Sequence, residues 1–174
     1  MEGMRSERGY TLFEILIVVG LIGVISGIAL PVFMSSNEMN SLWTSSERLG
    51  ALLRQTRLKA ITRNTTFQVR FNCPGVGQAR GLIMTGVPAV DDAVNRCSTN
   101  TAGDSGIVQM NSGVLFDAGV TTGLQVTGRG SFTAIGGGAI PLTIDVNYGA
   151  QDRYLTVSAT GQITFSETAP DEEP

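Results

Sequence analysis

Apolar residues gather in one block near the N-terminus and then thin into two repeating patterns. From Ile15 to Met34 the chain reads ILIVVGLIGVISGIALPVFM, 20 residues without a charge. A helix of that length spans about 30 Å, the thickness of a bilayer's hydrocarbon core. The run is longer than the core of a cleaved secretory signal, and no A-x-A site closes it. It therefore predicts a transmembrane helix retained in the protein. Pro31 removes a backbone donor and crowds the preceding turn, which predicts a kink there. Gly20, Gly23 and Gly27 make a narrow face that another helix can approach closely.

Beyond Pro31 the helical period resumes with polar residues between. Leu42, Leu49, Leu53 and Ala60 fall on one stripe, with Leu52 and Ile61 beside it. Arg48, Arg54, Arg57, Lys59 and Arg63 fill much of the remainder, as a solvated face or one that meets acidic neighbours. Asn64 is the expected stop. From Thr65 the period changes to two: Phe67, Val69 and Phe71 alternate with Gln68 and Arg70. Further predicted strands are Gly81–Thr85, Ile107–Met110, Val114–Phe116, Leu124–Val126, Phe132–Ile135, Leu142–Val146, Tyr154–Val157 and Ile163–Phe165. Clusters of Gly, Asn and Asp separate them. The stretch 88–105 reads as the longest loop, and Gly136-Gly137-Gly138 as a flexible turn. The fold class that follows is α+β: a long N-terminal helix, bent at Pro31, whose second half covers an antiparallel sheet.

Charge sharpens this division. Between Ser35 and Arg63 five bases face two acids, a net +3; from Asn64 onward five bases face ten acids, a net −5. An acidic distal region argues against strong nucleic-acid binding by charge alone. Arg5 and Arg8 precede the apolar run and no further base appears until Arg48. The positive-inside rule therefore places the N-terminus in the cytoplasm and the bulk of the chain outside. The chain has no histidine, no nucleophile motif and no clustered metal-ligand spacing, so nothing points to an enzyme. Asp91-Asp92 is the one pair that suggests a calcium loop. Cys73 and Cys97 are too far apart for a CxxC motif. They read as two unrelated buried thiols or as a structural disulfide, the latter favoured where the region is exported.

Glu14 stands out against this background. A carboxylate costs roughly 2.5–3.5 kcal/mol at a membrane helix centre and less towards the interface. Its context is Gly9, Tyr10, Thr11, Leu12, Phe13, Glu14, then the apolar run with its late Pro31. This order resembles the N-terminus of the type IV pilin and pseudopilin superfamily, with Tyr10 where Phe is commoner. The stretch Leu49–Asn64 and the segment Leu155–Ile163 are most similar to the GspH/FimT group, with Gln162 where Arg is common. The resemblance implies cleavage between Gly9 and Tyr10 by a prepilin peptidase and N-methylation of Tyr10. It also implies that Glu14 meets the freed Tyr10 ammonium of a neighbouring subunit during assembly, which fixes register.

On that resemblance the chain divides into a leader peptide (1–9), a transmembrane or filament-core helix (10–34) and an amphipathic helix half (35–64). A periplasmic β-rich domain (65–166) and an acidic flexible tail (167–174) follow. The implied protein is a minor pilin or pseudopilin, a non-enzymatic subunit of a type II secretion pseudopilus or a type IV pilus. It crosses the bacterial inner membrane once and is drawn into a filament on assembly. Its implied partners are other subunits, the peptidase and an inner-membrane platform, with no cofactor. A DNA-binding minor pilin of natural transformation and a major structural pilin are the alternatives.

Overall fold

The computed structural model describes residues 10–116, 123–135 and 140–169, with the side chains of residues 30 and 31 outside that set. Two compact units divide the chain, Met1–Asn37 and Glu38–Pro174. Helix α1, Leu12–Arg63, begins in the first and ends in the second. It is helical through Pro31.

In the first unit every large apolar side chain described on α1 is exposed. In the second unit one face of α1 is buried: Leu42, Leu49, Leu52, Leu53 and Ala60 enter the core, as the periodicity predicts. Ile61 does not. It lies about 100° round the helix from Ala60 and stays 45% exposed. The helix stops at Asn64, which takes φ 47°, while the Thr65 N–H donates to Ala60 O at 3.1 Å. That is a left-handed C-terminal cap, and asparagine tolerates its backbone better than most residues.

Two antiparallel sheets cover the helix rather than one. The first has the order β3-β2-β1-β5-β6, from Phe67–Phe71 (β1), Gln78–Ile83 (β2), Ile107–Gln109 (β3), Gly123–Val126 (β5) and Phe132–Ala134 (β6). The second has the order β4-β7-β8-β9, from Leu115–Phe116 (β4), Leu142–Tyr148 (β7), Gln151–Val157 (β8) and Ile163–Ser166 (β9). Alternation on β1, β7 and β8 sends Phe67, Val69, Ile144, Val146, Leu155 and Val157 into a core shared with α1. Fully burying a side chain of this kind contributes roughly 1.5–3 kcal/mol.

β2 begins three residues before the expected Gly81. Its register with β1 runs from Phe67↔Ile83 to Phe71↔Ala79, so the ladder starts as soon as the connecting turn closes. Alternation is invisible there because four successive residues, Ala79 to Leu82, are buried. Arg80 faces away from the core and is covered by the segment that follows. That segment is not a plain loop either: it opens with one helical turn, Pro88–Asp91 (α2). The predicted glycine turn at 136–138 lies outside the described residues, as does most of the acidic tail.

Candidate functional site

The start of α1 is set by Thr11. Its hydroxyl accepts the Glu14 N–H at 3.2 Å, and its carbonyl accepts Glu14 N–H and Ile15 N–H at 3.1 and 3.3 Å. Thr11-Leu12-Phe13-Glu14 is a threonine N-cap with glutamate at the third helical position, the capping-box spacing. Glu14 thus sits in the first turn, where the helix dipole favours negative charge. Tyr10 precedes the helix and is 78% exposed. Gly9, the other half of the predicted cleavage junction, lies outside the described residues.

The surface that follows cannot stay in water. Thirteen large apolar side chains between Ile15 and Met34 are exposed. Covering them is worth roughly 20–40 kcal/mol at 1.5–3 kcal/mol each. An 18-residue window of α1 has a mean hydropathy of 2.7 and no buried residue, enough by length and composition to cross a membrane. A Cβ added at Gly20, Gly23 or Gly27 would meet nothing within 4 Å, so no contact within the described chain accounts for these glycines. The first turn can present one carboxylate beside an apolar rod with a narrow small-residue strip. That arrangement suits packing and registration, and it holds no reacting pair.

In the distal unit Cys73 and Cys97 are bridged, the structural disulfide that is one of the two sequence readings. The charged cluster around that bridge is what sequence reasoning missed. Beside the bridge, Arg96 grips Asp104 with two bonds of 2.7 and 2.8 Å, and Arg80 approaches the same carboxylate at 3.6 Å. Asp104 also accepts the N–H groups of Thr101 and Ile83. Desolvation would raise its pKa, but the Arg96 bond, those two N–H donors and the Arg96 charge prevail and hold it below the ordinary aspartate value. The Asp104 bond likewise raises the Arg96 pKa against the opposing effect of burial.

Asp91 accepts bonds from Thr85 N, Thr85 Oγ1 and Gly86 N. Burial alone would push its pKa up; those three donors bring it down. Its carboxylate oxygens organise a turn. Among the described residues no three His, Cys, Asp or Glu side chains cluster there or elsewhere. These contacts join positions far apart in a segment without periodicity, Arg80 with Asp104 being the widest, so the sequence carries no local signal for them.

A third buried cation occupies the sheet facing α1. Arg153 stands on the inward row of β8 with its guanidinium 3.8 Å from the Trp43 ring centroid and 5.2 Å from that of Phe165. Its Nε and Nη1 have no hydrogen-bond partner. Desolvation lowers its pKa, while the charges of Glu47 and Glu167 act in the opposite direction. Around the closing turn, Arg57 donates to Gly130 O at 2.9 Å and Thr160 O at 2.8 Å. Gln162, where a basic residue is the group's commoner choice, donates its N–H to Ser158 Oγ.

Comparison with known proteins agrees with this geometry. Residues 4–30 match the prokaryotic N-terminal methylation motif. That motif reaches into the capped, apolar start of α1. The pilin-like protein PilA1 of Thermus thermophilus is 36% identical over 72 residues, 41% of this chain and 45% of the relative. The chain thus spans less than half the length of that curated relative. The crystal structure of the type IV minor pilin FimU of Pseudomonas aeruginosa (strain PAO1) superposes with a TM-score of 0.52 over 74% of this chain and 90% of that one, at 15% identity. That likeness establishes the fold: a long N-terminal helix carrying antiparallel sheets. The motif and the exposed apolar helix fit a membrane-anchored pilin.

Proposed function

We propose that this chain is a minor pilin or pseudopilin, a non-enzymatic subunit of a type II secretion pseudopilus or a type IV pilus. A prepilin peptidase cuts it between Gly9 and Tyr10, and Tyr10 becomes N-methylated. The subunit waits in the inner membrane with its sheet domain in the periplasm. An inner-membrane platform then draws it into a filament with other subunits.

One observation carries this reading: an apolar helix, bare at every described large apolar side chain of its first unit, whose capped first turn holds a single carboxylate close to Tyr10 in sequence. In a bundle of such helices the Glu14 carboxylate needs a cation, and the Tyr10 ammonium of a neighbour supplies one. The Coulombic gain is largely offset by desolvation, so the pair sets register rather than net stability. Glu14→Gln tests it. The variant should be cleaved and membrane-inserted like the wild type yet be depleted about tenfold or more from sheared filaments, as the loss of a buried charge's partner implies. Wild-type recovery of Glu14→Gln in filaments would overturn the role of Glu14. Neighbouring genes for secretion components assign the pseudopilus, and neighbouring pilus genes the pilus.

A further inference from the structure

We propose that the face of α1 carrying Met39 and Trp43 docks a basic segment of another protein, an arginine or lysine beside one apolar residue. The inference stands on the distal unit and depends neither on cleavage at Gly9 nor on filament assembly. Met39, Trp43 and Glu47 follow one another at intervals of four, so they form one row on the helix. Met39 is 41% exposed and Trp43 47%. Tryptophan is mostly buried in folded chains and is enriched where partners bind. The Trp43 ring is held rather than loose, with the Arg153 guanidinium 3.8 Å from its centroid. Trp43 thus offers a fixed aromatic surface, and its contact with Arg153 shows that the ring suits a cation.

Charge selects the occupant. Met39 borders a shallow cavity of about 380 Å³ together with Tyr154, Asp152 and Glu167. The charges of Glu47 and Glu167 both reach Arg153, which places them around the guanidinium under the Trp43 ring. Among the described residues the ion pairs are Arg80–Asp104 and Arg96–Asp104, so Glu47, Asp152 and Glu167 form none. The nearby guanidiniums of Arg153 and Arg54 lie over the Trp43 and Phe165 rings. The five residues after Ala169, Pro-Asp-Glu-Glu-Pro, add three acids, so the chain's own end brings no cation. The same carboxylates disfavour an anionic lipid surface. What fits is a protein segment whose long basic side chain enters the cavity along Met39 and Tyr154, its charged head meeting Asp152 and Glu167. Its apolar neighbour then lies on Trp43.

Trp43 is the chain's one tryptophan, so its emission reports on its own face. The probe is the peptide acetyl-Arg-Leu-Arg-amide, titrated into the full-length chain in a non-ionic detergent. Trp43 emission should shift saturably. Binding should weaken about fivefold or more between about 50 and 500 mM NaCl, as screening shortens the range of exposed charges. Acetyl-Glu-Leu-Glu-amide should produce no shift. The Asp152→Asn/Glu167→Gln variant should bind the basic peptide about fivefold or more weakly, the size expected for two exposed ion pairs, while keeping the wild-type unfolding midpoint. Met39→Lys, which sets a cation at the cavity, should weaken binding in the same way and checks the result independently. Absence of a saturable shift, equal binding by spermidine, which has no apolar residue to lie on Trp43, or wild-type binding by both variants overturns the proposal.

Discussion

Asparagine at position 104 should destabilise the distal unit severely while leaving its shape unchanged. The Asp104 side chain has no exposed surface, that of Arg96 is 2% exposed, and their two bonds are 2.7 and 2.8 Å. Asparagine keeps the volume but removes the charge and one acceptor oxygen. Arg96 is then left buried with no anion bonded to it, and its Nε already lacks a partner. Breaking one side of a buried ion pair costs about 3–5 kcal/mol. Against a typical stability of about 5–15 kcal/mol this is a large fraction of the whole. For a unit of this size it corresponds to a fall in Tm of about 10–20 °C.

The chain has one tryptophan, Trp43, stacked on Arg153 in the same unit, so its fluorescence during a thermal or urea titration reports the loss. The Cys73–Cys97 bridge stays closed throughout and does not contribute to the difference. Replacing both partners, Arg96→Met with Asp104→Leu, should recover at least half of the stability, because the damage lies in the orphaned charge. A loss under about 0.5 kcal/mol for Asp104→Asn alone would refute the cluster's structural role.

Four further outcomes follow from the same structure. Asp91 and Asp104 both have folded pKa values below the ordinary 3.8, so their stabilisation is complete above that value and lost as the pH falls through the folded values. The unfolding midpoint should be flat down to about pH 4 and drop below it, and Asp104→Asn should flatten the drop. Gly161→Ala should cost about 1–3 kcal/mol, since φ is +83° and the new Cβ would lie 2.7 Å from Arg57 Cζ; an unchanged urea midpoint contradicts it. Replacing both Cys73 and Cys97 by serine, which opens a loop of 24-residue separation, should cost about 3 kcal/mol in the same titration. Arg153→Met should be neutral or stabilising by up to about 2 kcal/mol, because it removes a buried cation with two unbonded nitrogens; a loss above that size would show that the Trp43 stack outweighs desolvation.

Legibility in the sequence follows the range of the forces involved. The apolar run, the Leu42–Ala60 stripe, the Asn64 stop and the alternating strands are written in local periodicity, and each can be read without knowing the partner surface. The start of β2 escapes that reading because Arg80 is buried on the side away from the core, where the loop 84–105 covers it. The Arg96–Asp104 pair and the Asp91 cage depend on chain reversals whose geometry no short pattern encodes. Arg153 breaks the apolar row of β8, and the aromatic rings of Trp43 and Phe165 with the charges of Glu47 and Glu167, none adjacent to it in sequence, offset its burial. At the N-terminus the Thr11–Glu14 spacing is itself a capping signal. The carboxylate's context is plain in the sequence, whereas the hydroxyl's role as a cap emerges only with the backbone in place.

The central claim concerns the junction of Gly9 and Tyr10. Intact-mass and fragment-ion analysis of the chain from cells with an active peptidase tests it most directly. The account predicts a mature protein that begins at Tyr10 and carries one methyl group on its amine, with Glu14 as its fifth residue. A chain that still begins at Met1, or a Tyr10 terminus left unmethylated, would contradict it.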